Sequence, residues 1–436
     1  MSNIMFVSLG CDKNSVDSEF MLGELCAHGY NIVNDFCDAD IAVINTCSFI
    51  SDAKRESINT ILEAAEYKKT GKLKKLVVTG CLAQRYYKEI KEQIPEADII
   101  IGTTAIDKIV DAIEQETDFV EDINRLPLPE TQRISTTGGF YSYLKIAEGC
   151  DKRCTYCVIP YVRGRYRSIP LERLIEEAKY LASLGTKELI IVAQETTLYG
   201  TDLYGKKMLP ELIRSLEQID GIKWIRLMYC YPEEIDDEFV NMFVTSKKLC
   251  HYIDLPIQSA SDEILRRMGR RTNSSEIRNI IDKLKKAIPD IVIRTSLIAG
   301  FPGETDEDFE DTVNFVKDVK FQRLGCFTYS KEENTPAAKF KNQIPERIKK
   351  KRRNEIMKLQ QEISAEHNRQ LIGKDMDVMI EGRLPEDNIW IGRSYMDAPG
   401  VDGYVFVNSD REYISGDIIR VKITDAKEYD LVGTAL

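Results

Sequence analysis

Three short apolar runs near the start of the chain each end at a cysteine. The runs MFVSLGC, IAVINTC and LVVTGC close on Cys11, Cys47 and Cys81. Successive cysteines are separated by roughly 35 residues, about the length of one strand-helix-strand unit. The intervening segments carry apolar residues at helical spacing behind Ser or Asp, as crossover helices do. This alternation predicts a parallel α/β sheet, because parallel strands need such crossovers.

The three cysteines are expected to lie together at one edge of that sheet. Ligands of open α/β sheets bind outside the carboxyl ends of the strands, which is where each cysteine falls. One thiol at a strand end would mean little, but three suggest a shared ligand. Taken alone, buried structural thiols are the competing interpretation, since free cysteine is among the most buried residue types.

The rest of the chain predicts two further domains, giving an α/β multidomain protein. A chain of 436 residues is too long for one ordinary domain. We expect an α/β domain over residues 1–120, a Pro- and Gly-containing linker over 121–139, a second domain over 140–370, and a third over 371–436. In the second, six strand-like runs alternate with helical segments, which predicts a partial (β/α)6 barrel of the TIM type. About five short alternating strands follow and predict a small antiparallel β-barrel.

Composition excludes several classes of protein. The 60 basic and 71 acidic residues give a net charge of −11, so nothing global indicates nucleic-acid binding. No long apolar run or secretory signal is visible, and we expect a cytoplasmic protein with no membrane partner. Eleven cysteines in such a chain indicate metal or catalytic use rather than disulfides. The basic run KKKRR at 349–353 is most simply a solvated helix face.

The strongest motif is EGCDKRCTYCVIPYVRG, which contains Cys150, Cys154 and Cys157. It follows the first strand of the second domain, which places it at the C-terminal face of the barrel. Cysteine thiolates hold four-iron clusters, and a set of three leaves one iron open. The alternative is a zinc site, but no CxxC pair or nearby histidine supplies its missing ligand.

This motif matches the CxxxCxxC pattern of the radical SAM superfamily at every cysteine. Two three-cysteine groups, the first on a flavodoxin-like domain and the second on a barrel, followed by a TRAM-like, OB-like β-barrel, resemble the radical SAM methylthiotransferase family along the whole chain. The resemblance implies S-adenosylmethionine and two 4Fe-4S clusters as cofactors. Cys150, Cys154 and Cys157 would hold the radical-generating cluster, and an auxiliary, sulfur-bearing cluster would lie on Cys11, Cys47 and Cys81.

The resemblance also implies contacts to the cofactor, to which Gln258 and Arg294 are added because they lie at or near predicted strand ends that face the same mouth of the barrel. Seven positions are predicted to contact S-adenosylmethionine: Tyr156, Glu195, Thr196, Gln258, Arg294, Ile298 and Gly300. Three arginines are candidates for binding a substrate carboxylate: Arg163, Arg165 and Arg167. The competing interpretation is a strand-end residue that bonds its own loop, or an ordinary surface arginine.

A short sequence motif favours one branch of the family. GCDKNSVDSE at 10–19 resembles the GCPKNxVDSE of the branch that modifies the β-carbon of an aspartate in ribosomal protein uS12, with Asp12 in place of proline. Ser259 stands where that branch commonly has histidine. Residues 373–436 carry seven basic and thirteen acidic side chains, which favours a basic protein partner over tRNA.

The implied partners are therefore uS12, a reducing electron donor such as a flavodoxin or ferredoxin, and a sulfur source. Two alternatives stay open. A tRNA (adenosine) methylthiotransferase would bind tRNA with a steep salt dependence. A non-catalytic iron-sulfur docking protein would have a fourth protein ligand on each cluster.

Overall fold

The structure is a computed structural model that describes residues 2–384 and 388–436. Within residues 2–120 the first sheet has five parallel strands: β1 (Asn3–Ser8), β2 (Asn31–Val33), β3 (Ile41–Thr46), β4 (Lys75–Gly80) and β5 (Ile99–Ile101). Its helices are α1 (Asp12–Ala27), α2 (Ser51–Thr70), α3 (Cys81–Arg85), α4 (Tyr87–Gln93) and α5 (Ile109–Gln115). The strand order is β2-β1-β3-β4-β5, the flavodoxin-like order. The predicted α/β domain is confirmed.

The predicted linker has no helix or strand over residues 121–139, yet it is packed. The Arg133 side chain is buried, and its Nη1 lies 3.5 Å from Glu19 of α1 and 3.3 Å from Glu177. A Cβ on Gly23 of α1 would lie 2.2 Å from the carbonyl oxygen of Gln132. The segment therefore packs between helix α1 of the first domain and the helix of the second domain that carries Glu177. The domain limits stay predictions.

Six parallel strands form an open barrel in residues 140–370, all of which are described. In spatial order they are β6 (Tyr141–Lys145), β9 (Glu188–Val192), β10 (Trp224–Leu227), β11 (Leu249–Asp254), β12 (Val292–Ala299) and β13 (Arg323–Thr328). A short antiparallel pair consists of β7 (Ala147–Glu148) and β8 (Arg167–Ser168). Strands β6 and β13 do not pair within this range, so the partial barrel is confirmed.

Nine helices accompany these strands in the same described range. They are α6 (Ile159–Val162), α7 (Leu171–Ser183), α8 (Thr201–Tyr204), α9 (Leu209–Glu217), α10 (Asp237–Thr245), α11 (Asp262–Arg267), α12 (Ser274–Ala287), α13 (Asp306–Val319) and α14 (Glu346–Arg369). Both α12 and α13 begin with a capping box, which satisfies amide groups at each N-terminus. No helix of the described residues is long and apolar enough to cross a membrane.

The third sheet is a closed barrel in residues 371–384 and 388–436. Its five described strands are β14 (Asp375–Arg383), β15 (Ile389–Ser394), β16 (Val405–Asn408), β17 (Ile418–Ala426) and β18 (Leu431–Ala435). The predicted small barrel is confirmed, but its β16–β18 pair is parallel. An odd number of strands cannot alternate in direction around a closed ring, so one pair of neighbours must be parallel.

The closed barrel of the third domain, called the third barrel below, covers one face of the six-stranded sheet. Leu189 and Ile191 of β9 pack against the helices, whereas Ile190 and Val192 pack against the third barrel. This division follows from the two-residue period of a strand. The sheet is therefore buried on both faces, which leaves the strand ends as the place for a site.

Candidate functional site: two groups of three cysteines

The first cysteine group lies at the carboxyl ends of three adjacent strands. Cys11 follows β1, Cys47 follows β3, and Cys81 follows β4, while β3 pairs with both of the others. The predicted convergence is therefore observed in the topology. Gly10, at φ +97°, is required there because a Cβ would lie 3.1 Å from Cys47 Sγ and 2.8 Å from Cys47 Cβ.

These thiols are close enough to influence one another. Burial, together with the negative charge that Cys11 and Cys47 can carry, raises the pKa of the Cys81 thiol to about 12. Burial likewise raises the pKa of Cys47. The Nε of Arg163 lies 3.4 Å from Cys81 Sγ and opposes this rise. Thiolates at this position consequently need a cation or a metal beside them.

The second group occupies the loop between β7 and α6. The β7–β8 pair closes this loop, and the Cys150 amide donates to the carbonyl of Gly164 at 3.1 Å. Gly149, at φ +77°, is needed because a Cβ would lie 2.1 Å from the carbonyl oxygen of Arg165. Burial raises the pKa of Cys150 to about 12 and also raises that of Cys157.

The donor set of each group fits an iron-sulfur cluster. All eleven cysteines are free thiols. No three His, Cys, Asp or Glu side chains among residues 2–384 and 388–436 converge tightly enough to hold one metal ion. Different irons of a four-iron cluster bind different cysteines, so its ligands do not converge on a point. The three histidines hydrogen-bond to Glu24, Asp290 and Lys320, away from both groups.

Glu195 carries a buried carboxylate oxygen without a partner beside the second group. Its Oε1 accepts from the Thr197 amide at 2.9 Å, whereas its Oε2 has no hydrogen bond. The nearest ammonium, that of Lys152, lies 3.8 Å away. Burial raises the pKa of Glu195 to about 8. A buried oxygen of this kind is available to a donor on a bound ligand.

Thr196 and Arg294 bond within the protein. The Thr196 hydroxyl donates to the carbonyl of Met228 at 2.7 Å and so joins the ends of β9 and β10. Arg294 Nη1 lies 2.7 Å from Asp254, and its Nε lies 3.4 Å from Asp402 of the third barrel. Both side chains are therefore engaged within the protein: Thr196 links two adjacent strand ends, and Arg294, the third residue of β12, links β11 to the third domain.

Gln258 has a different environment. Its backbone, at φ +70°, accepts from the Ile298 amide and donates to Ser296. Its half-buried side chain makes no hydrogen bond to any described residue, so its amide is not committed within the described part of the protein. The left-handed conformation in a residue other than glycine marks a strained position of the kind that clusters at binding sites.

Tyr156, Ile298 and Gly300 belong to an apolar corner of the barrel. Tyr156 and Ile298 pack in one cluster with Phe301, whose ring centroid lies 6.5 Å from that of Tyr156. Gly300 has φ +74°, and a Cβ there would lie 2.4 Å from Lys349 Cγ. The approach of α14 therefore explains this glycine.

The basic run at 349–353 is only partly solvated. Lys349 is buried and donates to the carbonyl of Tyr329 at 2.7 Å. Arg352 is buried and bonds Glu304 and Asp306, each at 2.7 Å. The remaining side chains of the run are exposed: Lys350, Lys351 and Arg353.

The three candidate arginines differ sharply in their surroundings. Arg163 is buried and bonds Asp17 and Glu148. Arg165 is exposed, and Arg167 donates to the backbone carbonyls of Arg163 and Arg165. The structure therefore leaves Arg165 as the one member of this trio whose side chain is largely in solvent.

A segment that the sequence prediction missed reaches both cysteine groups. The Tyr229 hydroxyl donates to Asp12, next to Cys11, at 3.2 Å. Two residues on, the Tyr231 ring lies 4.9 Å from the Lys152 ammonium of the second cysteine loop. The only signal in the sequence was a pair of tyrosines at a strand end, MYCYP. The segment from Tyr229 to Tyr231, which follows β10, therefore contacts residues beside both cysteine groups.

Comparisons with known proteins agree with this architecture. The Radical SAM superfamily model matches residues 144–316, the TRAM domain model matches 372–436, and the model for Uncharacterized protein family UPF0004 matches 3–102. Among solved structures, the radical S-adenosylmethionine methyltransferase TsrM of Kitasatospora setae has a TM-score of 0.55 at 16% identity. That match covers 77% of this chain and 74% of the other, and it shows the fold alone.

The fold and the cysteine groups define a radical SAM protein with a TRAM domain. A protein from Lachnoclostridium phytofermentans named ribosomal protein uS12 methylthiotransferase RimO is 59% identical over 99% of both chains. A Thermoanaerobacter protein of the same name is 50% identical over 99% of this chain and 100% of its own. One from Clostridioides difficile is 48% identical over 100% of this chain and 99% of its own. The chain belongs to the RimO family of uS12 methylthiotransferases.

Proposed function

We propose that this protein adds a methylthio group to the β-carbon of an aspartate in ribosomal protein uS12. The observation that carries the proposal is the pair of three-cysteine groups. The first lies at the carboxyl ends of three parallel strands and the second lies in the loop closed by the β7–β8 pair, while Arg163, shortly after that loop, lies 3.4 Å from Cys81 of the first group. The names of the relatives support the substrate. Since ribosomal protein is the substrate, we place the protein in the cytoplasm.

Each cysteine group would hold one 4Fe-4S cluster. Cys150, Cys154 and Cys157 would hold the first, and Cys11, Cys47 and Cys81 the second. When bound, the first cluster with S-adenosylmethionine supplies radical chemistry, and the second supplies the sulfur of the methylthio group. Radical chemistry suits the substrate, because no side chain can readily deprotonate the β-carbon of an aspartate at neutral pH.

Three kinds of side chain would position S-adenosylmethionine. The unpartnered Oε2 of Glu195 would accept from the methionine ammonium. Tyr156 and Ile298 form an apolar surface suited to the adenine. The Gln258 side chain would reach the ribose or the methionine. Thr196 and Arg294 would not contact the cofactor themselves. They would fix the strand ends near the side chains that do.

The protein would also need a reducing electron donor, such as a flavodoxin or a ferredoxin, and a source of sulfur. Arg165, the exposed arginine of the cysteine loop, is the candidate for the carboxylate of the substrate. Its side chain makes one long ion pair, 3.8 Å to Asp151, and an ion pair at that distance on the surface is weak.

The test offers two substrates in parallel to protein reconstituted with iron under anaerobic conditions. The protein is incubated with S-adenosylmethionine, reductant and sulfide, together with either uS12 or bulk tRNA, and the products are weighed by mass spectrometry. We expect the mass gain of one methylthio group on an aspartate of uS12. Cys11→Ala and Cys154→Ala should abolish it, whereas Cys37→Ala, an exposed cysteine outside both groups, should not.

Two outcomes would overturn parts of this proposal. A mass gain on tRNA alone would leave the chemistry intact and refute the substrate. No gain on either substrate, with both clusters loaded, would refute the activity.

A further inference from the structure

We propose that Arg163 is a positioning residue that fixes the position of Cys81 and so holds the first cysteine group in place relative to the barrel. This inference rests on the proposed function, because it treats Cys81 as a ligand of the auxiliary cluster. Arg163 lies on the loop that follows Cys157, yet its guanidinium bonds residues of the N-terminal domain. No other described residue hydrogen-bonds a cysteine sulfur of one group from the domain that carries the other group.

The guanidinium reaches the strand ends through two contacts. Its Nε lies 3.4 Å from Cys81 Sγ, and its Nη2 donates to Asn14 Oδ1. Asn14 in turn donates to the carbonyls of Leu9, at 2.9 Å, and Thr46, at 3.0 Å. Leu9 follows β1 and Thr46 ends β3. Arg163 is therefore connected to the ends of all three strands that carry the first group.

Two carboxylates hold the guanidinium in place. Arg163 Nη1 lies 2.7 Å from Asp17 and 3.0 Å from Glu148. Lys145 bonds the same two carboxylates, and all four side chains are buried. Two cations thus face two anions, so the network is neutral. Removing one member would leave an uncompensated buried charge, which is strongly destabilising.

The same network extends to the second cysteine group. Glu148 stands two residues before Cys150, and its Oε1 accepts from Gln194 Nε2 at 2.8 Å. Gln194 directly precedes Glu195. A single planar guanidinium thus bonds groups on both sides of the domain junction. Only arginine presents donors in a rigid fork of this kind, and a lysine ammonium cannot make these contacts together.

The Arg163 contacts should affect both the reduction potential of the auxiliary cluster and the placement of the reacting groups. Hydrogen bonds to a ligating sulfur tune the reduction potential of an iron-sulfur cluster and orient its ligands. A small misplacement of reacting groups also has a large effect on rate. Loss of the Arg163 contacts should therefore shift the auxiliary cluster to a more negative potential. It should also let radical formation continue without sulfur insertion.

The test compares Arg163→Lys with Arg323→Lys. Arg323 is a matched control, because it too is a buried arginine bound to a carboxylate, Asp397, but at the other domain junction. Two quantities are measured on the reconstituted full chain: the midpoint potential of the auxiliary cluster, by electron paramagnetic resonance, and the ratio of methylthiolated product to 5′-deoxyadenosine. For Arg163→Lys we expect a negative shift in potential and a fall of about 10- to 100-fold in the ratio. Arg323→Lys should change neither.

The outcomes separate this inference from the proposed function. If the unaltered protein binds two clusters and makes product, unchanged values in Arg163→Lys overturn the inference alone. If the unaltered protein makes no product, the proposed function fails. The midpoint potential of the auxiliary cluster in Arg163→Lys then still tests the role of Arg163. Should Arg163→Lys not fold, the double variant Asp17→Asn with Arg163→Gln keeps the buried charge balanced. An unshifted potential in that variant would also overturn the inference.

Discussion

The Lys13 ammonium lies 3.2 Å from the centroid of the Tyr229 ring. Lys13 also pairs with Asp12 at 2.9 Å, and the Tyr229 hydroxyl donates to the same carboxylate. Tyr229 holds a left-handed backbone, φ +59°, at the end of β10. Its amide is fixed by Asp254 at 3.1 Å, which helps to maintain this strained conformation. A cation from the N-terminal domain and a ring from the barrel therefore meet beside Cys11.

Replacing Tyr229 should separate the contribution of the ring from that of the hydroxyl. Tyr229→Phe loses one hydrogen bond to Asp12 and should lower the free energy of unfolding by about 1 kcal/mol. Tyr229→Leu also removes the aromatic face under a buried ammonium and should cost about 1–2 kcal/mol more. Urea unfolding of both variants measures this. Equal losses would show that the ring does not stabilise Lys13.

Thiol reactivity in the iron-free protein should distinguish members of the first cysteine group. Cys11 is exposed, whereas Cys81 is buried with its pKa raised by burial to about 12. The thiolate is the reactive form, so Cys81 should be alkylated by iodoacetamide at least about tenfold more slowly at pH 8. Peptide mass mapping after timed anaerobic exposure measures both rates. The control is the protein in urea, where the difference should vanish, and equal rates in the folded protein would contradict the described burial.

The sequence was sufficient for the features that depend on local spacing. Strand and crossover lengths placed Cys11, Cys47 and Cys81 at adjacent strand ends, because the topology of a parallel sheet leaves few alternatives. The contact between Arg163 and Cys81 joins residues 82 positions apart in different domains. Such contacts depend on how domains pack, which no local pattern encodes.

Charge counting was a poorer guide to the third barrel. Its acidic excess favoured a basic partner, but several of those carboxylates face arginines inside the protein. Asp397 bonds Arg323, and Asp402 lies 3.4 Å from Arg294. Glu381 likewise bonds Arg393 of its own barrel. The net charge of the segment therefore overstates the acidity of its surface, and the substrate proposal rests on the relatives rather than on this count.

Stability at the junction of the barrel and the third domain should depend on pH through Glu188. Burial opposes ionisation of this carboxyl, but the guanidinium groups of Arg393 and Arg226, at 2.8 and 2.7 Å, outweigh it and lower the pKa. A lowered pKa in the folded state stabilises the protein above the unfolded value, about 4.5, and this stability is lost as pH falls through the folded pKa.

Glu188→Gln should therefore melt at a lower temperature than the unaltered protein at pH 7, with a loss of about 3–5 kcal/mol. The difference between the two proteins should shrink as pH falls below about 4.5. Thermal unfolding of both proteins at a series of pH values from 7 to 3 measures this difference in stability. A difference that stays constant over this range would mean that Glu188 is not ionised in the folded protein.

Gly300→Ala should destabilise the barrel for two separable reasons. The left-handed backbone, φ +74°, costs a non-glycine residue about 1–2 kcal/mol. The new Cβ would also lie 2.4 Å from Lys349 Cγ and displace a side chain that bonds the carbonyl of Tyr329. Gly205→Ala is the matched control, because Gly205 has φ +71° with no atom within 4 Å of its added Cβ, so only the backbone cost applies. Urea unfolding should show Gly300→Ala as the more destabilised variant, since α14 must move to admit the methyl group. Equal losses would show that backbone conformation alone requires glycine at position 300, and that α14 moves without cost beside the apolar corner.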